Sequence, residues 1–110
     1  MTAVYDLYTL EQRERYVLRI ECLEIDDRIL DKIETKHGVT FEEVEECCLS
    51  EARHVRRSRG GLYKIFGVTA GGRRVLAVLV DLGSGVWRVA TAREMSGSER
   101  RLYEKVRRGR

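Results

Sequence analysis

Two histidines, one of them beside a lysine, and a surplus of arginines are the residues of this chain that carry chemistry. Lys36-His37-Gly38, Arg88 and Arg93 supply a titratable imidazole, an amine and two guanidiniums, and Tyr103 adds a phenol. Those types suit cleavage of an RNA phosphodiester without a metal. A base takes the 2'-hydroxyl proton, cations hold the charge that builds on phosphorus, and an acid protonates the departing 5'-oxygen. His37, Lys36, Arg88 and Arg93 are therefore the candidate catalytic residues, and Arg57, Lys64, Arg73, Arg100 and Tyr103 are the candidate RNA contacts. Each has a structural reading beside the functional one. His37 and Lys36 precede a glycine, where the negative end of a helix dipole favours cations. Arg88 fits a solvated strand position, Arg93 fits an ion pair with Glu99, and Tyr103 fits a packed ring with its hydroxyl at the rim. Arg93 stands where a strand ends and a turn begins, so a binding role is favoured for it.

Other chemistries find no matching spacing. His37 and His54 are not set four apart with another ligand, no Cys-x-x-Cys occurs, and no acidic cluster has calcium-loop spacing, so no metal or other cofactor is expected. Gly71-Gly72-Arg73-Arg74 lacks the Gly-Lys-Ser/Thr ending of a phosphate loop, and no Gly-x-Ser-x-Gly elbow is present. Cys22, Cys47 and Cys48 form no disulfide framework and read as small apolar side chains.

The elements that must position these residues follow from periodicity and punctuation. Leu18 to Ile25 begins as an alternation of apolar and charged residues, which predicts a strand with Leu18, Ile20 and Cys22 inward. Asp26-Asp27 offers an N-cap, and Ile29, Leu30 and Ile33 form one face of a short helix that stops at Gly38. Thr40-Phe41-Glu42-Glu43 is a capping box opening a second helix, with Phe41, Val44, Cys47 and Cys48 inward. Strands are expected across 53–57, 62–68, 74–80 and 86–92, the last three joined by glycine-bearing turns, with Val75–Val80 apolar on both faces and so central. Trp87 reads as core. Ser96-Gly97-Ser98-Glu99 repeats the capping box before a terminal helix with Leu102 and Val106 inward.

With 110 residues, 43% of them hydrophobic and 35% charged, the chain supports one domain, 1–110, with residues 1–15 a short helix or frayed arm and 107–110 a basic tail. No apolar run approaches the roughly 20 residues that cross a bilayer, and the first residues lack the pattern of a secretory signal. A cytoplasmic protein without membrane contact is expected. Charge is unevenly spread: residues 1–51 hold 6 basic and 14 acidic side chains, and residues 52–110 hold 15 and 4. The basic half, in which arginine dominates, suits a polyanion such as RNA, although acidic helices paired with a basic sheet would give the same asymmetry.

Lys36-His37-Gly38-Val39-Thr40-Phe41-Glu42-Glu43-Val44 resembles the Lys-His-Gly-Val-Ser-Phe-Glu-Glu-Ala signature of the BrnT family of bacterial toxins. Tyr63 to Thr69 with Gly72-Arg73, Trp87 to Arg93, and Glu99-Arg100-Arg101-Leu102-Tyr103 resemble that family's glycine-turn hairpin, strand end and last helix, in the same order. The resemblance implies a RelE-like α+β fold with a mainly antiparallel sheet, two short N-terminal helices and one C-terminal helix. It also implies a ribonuclease of a type II toxin-antitoxin system that arrests translation and pairs with a small DNA-binding antitoxin in a hetero-oligomer. Aligned on His37, polar family positions fall on Ile29 and Ile33, and the lysine after the strand-end arginine is Glu94. A nonenzymatic RNA- or protein-binding module, or a weakly catalytic relative, is the alternative.

Overall fold

The computed structural model describes residues 18–109; the arm or helix expected at 1–15 lies outside them, as does Arg110. The elements in chain order are β1 (Cys22–Glu24), α1 (Asp27–His37), α2 (Phe41–Leu49), β2 (His54–Arg57), β3 (Leu62–Val68), β4 (Arg74–Gly83), β5 (Val86–Glu94) and α3 (Gly97–Arg108). Among the described residues the strands form one five-stranded sheet in the order β1-β5-β4-β3-β2, antiparallel except for β1, which lies parallel to β5 at one edge. This is an α+β fold with β4 at its centre, as the two-sided apolar run Val75–Val80 predicts.

The helix ends form where the side chains dictate. Asp26 accepts from the Arg28 amide to open α1, and Gly38, at φ +66°, closes it by donating its amide to Glu34. Only a residue without Cβ takes that left-handed conformation cheaply. The boxes at Thr40 and Ser96 are both complete, each hydroxyl accepting from the third amide while Glu43 or Glu99 reaches back. Four N-terminal amides per helix lack a partner within the helix, and these side chains satisfy part of that demand.

One face of the sheet carries α1 and α2. Ile33, Val39, Val44, Cys47 and Cys48 pack there on Ile65, Val75, Ala77, Leu79, Trp87, Val89 and Ala92. The Cys47 thiol donates to the Val75 carbonyl at 3.2 Å; the neighbouring Cys48 thiol, first, and burial push its pKa up, so it stays an inert protonated group. Gly67 passes so close that an added Cβ would lie 2.3 Å from the Cys47 carbonyl oxygen.

Three expectations change. The first strand shrinks to Cys22–Glu24, and Cys22 is exposed while Leu23 turns inward. The Glu21 and Cys22 amides both donate to the Gly85 carbonyl, so two consecutive residues face one partner and the alternation slips by one. The sheet, expected to pack against helices on one face only, carries them on both: α3 packs on the face opposite α1 and α2, where Tyr103 and Met95 meet Phe66 and Leu76. In α3 the fully buried residue is Tyr103, with Leu102 and Val106 only half-buried.

Candidate nucleic-acid interface

Cross-strand partners share a face, so the register shows which side chains the sheet gathers. On the face carrying α3, three successive rows run across the strands: Leu62–Val80–Arg88, then Arg56–Lys64–Val78–Thr91, then His54–Phe66–Leu76–Arg93. Rows lie about 6.7 Å apart, two residues along each strand. The third row is partly roofed by α3 through Phe66 and Leu76. The first two are not: Leu62, Val78 and Val80 belong to neither core cluster, and Arg56 and Arg88 are exposed.

A bulge in β5 makes this gathering possible. Arg88 and Arg93 are five apart, which in a regular strand puts them on opposite faces. The register slips between Val78 opposite Thr91 and Leu79 opposite Val89, leaving Ala90 as an extra residue. That residue restores the parity, so both arginines reach the same face while Trp87, Val89 and Ala92 stay in the core.

The cations differ in how firmly they are held. Among the described residues Arg56 and Lys64 make no ion pair. Arg88 sits 3.7 Å from Glu24, its register partner in β1, and its side chain is 54% exposed. Arg93 is tied down: Nη1 and Nη2 each donate to a Glu99 oxygen at 2.8 Å, and Nη1 also reaches the Glu94 carbonyl. The ion pair that sequence weighed against a binding role is thus present, with the Nε–H of Arg93 left for a further acceptor. Arg93, first, and the Ser96 amide with it hold the Glu99 carboxyl at about 2.

The remaining candidates lie elsewhere. Lys36 is exposed and His37 half-buried in the last turn of α1. That turn is fixed by Arg73, which donates to the Gly38 carbonyl at 2.9 Å, to Glu43 at 2.8 Å and to Glu94 at 3.1 Å. Arg73 is therefore a clamp joining α1, α2 and β5. Lys36 and His37 consequently lie at the Glu94 end of β5, and Arg88 lies about 17 Å away, five β4 residues along the strand. Arg57 faces the helical side, its guanidinium 5.6 Å from the Tyr63 ring. Arg100 is exposed in the first turn of α3. Tyr103 is fully buried, and its hydroxyl donates to the Ala52 carbonyl at 2.8 Å, so its ring is a packing element rather than an exposed stacking surface.

The structure thus unites Lys64, Arg88 and Arg93 and sets apart Lys36 with His37, Arg57, Arg73 and Tyr103. Sequence reasoning passed over Arg56 and His54 on the same face. Their signal is the period of two within His54–Arg57, which puts both on the side opposite Val55 once that segment is taken as a strand. Among the described residues no three His, Cys, Asp or Glu side chains are placed to hold a metal ion. No described helix is long and apolar enough to cross a membrane. What the face offers is cations on a rigid frame with half-exposed apolar side chains between them, an arrangement that neutralises phosphates without reading base edges.

No family model matches the chain, and no curated protein matches it. Among solved structures, the crystal structure at 1.1 Å of the Brucella abortus ribonuclease toxin BrnT superposes with a TM-score of 0.60. The match covers 68% of this chain and 96% of that one at 21% identity. The helices and the mainly antiparallel sheet that the sequence motifs imply are therefore those of a known architecture: this chain has the fold of the BrnT ribonuclease toxin.

Proposed function

We propose that the chain is a ribonuclease toxin of a type II toxin-antitoxin system, cleaving RNA without a metal ion, arresting translation in the cytoplasm and held inactive by a small DNA-binding antitoxin. The observation that carries this reading is the row arrangement of Arg88, Lys64 and Arg93 on one sheet face of a fold shared with a ribonuclease toxin. Arg88 and Lys64 hold successive phosphates. The phosphodiester under attack sits at the Arg93 end of the sheet, round which His37 and Lys36, at the end of α1 on the opposite face, reach to handle protons. The 2'-hydroxyl gives its proton to the base, its oxygen bonds to phosphorus, and the 5'-oxygen leaves with a proton, giving a cyclic phosphate and a 5'-hydroxyl. Arg57, Arg73 and Arg100 add to the positive field, and Tyr103 supports α3.

Incubation of the purified protein with single-stranded RNA in excess chelator tests this. Cleavage that persists, and that falls on the order of 100-fold in Arg88→Ala or His37→Ala, supports the toxin reading. The second reading, RNA binding without cleavage, draws on two observations: the general-base candidate His37 lies away from Lys64 and Arg88, and Glu99 occupies both terminal nitrogens of Arg93. Salt-sensitive binding with intact RNA at long times would establish it instead.

A further inference from the structure

The exposed side of α2 is unlike the basic face in both charge and texture. Glu42, Glu45, Glu46 and Leu49 line a groove of about 420 Å³ whose other wall is the β3–β4 turn, Val68, Thr69 and Ala70. Leu49 is 62% exposed, one of two large hydrophobic side chains left open among the described residues. The wall is fixed, because Glu46 accepts from the Ala70 amide at 3.0 Å. The rim is not neutralised: among the described residues Glu42 and Glu45 make no ion pair, while the nearby Arg73 is spent on Glu43 and Glu94. The apolar Leu49 beside two unpaired carboxylates, Glu42 and Glu45, spaced at i+7, i and i+3 along one helix, is the counterpart of a helix that presents an apolar side chain flanked by cations.

We propose that this groove docks a cationic amphipathic helix of a partner protein. One apolar side chain of the partner sits on Leu49, Val68 and Ala70, and lysines or arginines on either side of it meet Glu42 and Glu45. RNA is not the occupant, since the rim repels phosphate. A second copy of the chain fits poorly, because its other exposed large hydrophobic residue, Leu82, follows Asp81, and in its basic helix α3 Tyr103 is fully buried while Leu102 and Val106 are only half-exposed. The groove uses none of Arg56, Lys64, Arg88 and Arg93, so the partner and a polyanion can be bound together. The proposal stands whether or not the protein cleaves RNA.

Fluorescence anisotropy with a labelled Leu/Lys amphipathic helical peptide of about 16 residues tests it, with the Leu/Glu peptide of the same pattern as control. The expected result is micromolar binding of the basic peptide only. Leu49→Ser and the double variant Glu42→Gln/Glu45→Gln should each weaken it at least about tenfold, with Leu82→Ser unchanged. All of these substitutions are on the surface and leave the core intact, which circular dichroism checks. Affinity for the basic peptide unchanged by the groove variants overturns the proposal. So does a wild-type dimer in sedimentation that Leu49→Ser dissolves, since the second copy would then be the occupant.

Discussion

Arg93 gives both terminal nitrogens to Glu99, and the consequence is readable as a function of pH. The Glu99 carboxyl titrates near 2 when folded and near 4.5 when free, so the folded chain binds that proton less readily than the unfolded one. Its contribution to stability is complete above about pH 4.5 and is lost as pH falls towards 2. The thermal midpoint of the wild type should therefore drop more between pH 5 and pH 2.5 than that of Glu99→Gln, and parallel curves would show the pair to be energetically idle. Arg88 and Lys64 behave differently, because Arg88 makes only a long, solvent-exposed ion pair with Glu24 and Lys64 makes none among the described residues: Arg88→Ala and Lys64→Ala should leave the melting temperature within a few degrees, surface changes of this kind amounting to about 0.5 kcal/mol or less. Their loss should appear in RNA affinity, measured by filter binding.

Among the elements, β3 and α2 approach most tightly at Gly67. A Cβ at Gly67 would meet the Cys47 backbone carbonyl at 2.3 Å, and a backbone atom inside a packed helix cannot step aside as a flexible side chain can. Gly67→Ala should cost about 3 kcal/mol, seen as a lower urea midpoint at unchanged slope. Thr40→Ala removes the acceptor for the Glu43 amide and should cost about 1 kcal/mol by the same measurement. The contrast between the two is instructive: the capping box is written in four consecutive residues, whereas the contact at Gly67 joins segments twenty residues apart. The sheet adds a third element-scale device, the extra residue at Ala90, without which Arg88 and Arg93 would face opposite ways.

For the whole molecule, the imbalance between an acidic first half and a basic second half becomes a separation in space. The carboxylates of α1 and α2 lie on one side of the sheet, and Arg56, Lys64 and Arg88 open on the other. Two surfaces of opposite sign suit two ligands of opposite sign, which is the physical basis for assigning RNA to the sheet face and a cationic helix to the α2 groove. Single-stranded RNA binding should weaken linearly with log salt. Three phosphate contacts give a slope of about −2, and Arg88→Ala should reduce its magnitude by about 0.7. A flat salt response in the wild type would remove the electrostatic argument for that face.

Local chemistry was legible in the sequence alone. Asp26, Gly38, Thr40 and Ser96 mark helix ends because caps act over three or four residues, and the short β-branched and apolar runs Leu62–Val68 and Val75–Val80, bounded by glycine-bearing turns, mark strands, the second apolar on both faces and so central. Which side chains come together was not legible. Placing Arg56 opposite Lys64 needs the β2–β3 register, and bringing Arg88 and Arg93 to one face needs the bulge at Ala90. Tyr103 reads equally as a rim phenol or a buried ring until α3 is laid on the sheet face opposite α1 and α2. Register, bulges and the choice of face depend on contacts between residues distant in the chain. A period of two says that a strand has two faces, and only packing decides which of them meets the solvent.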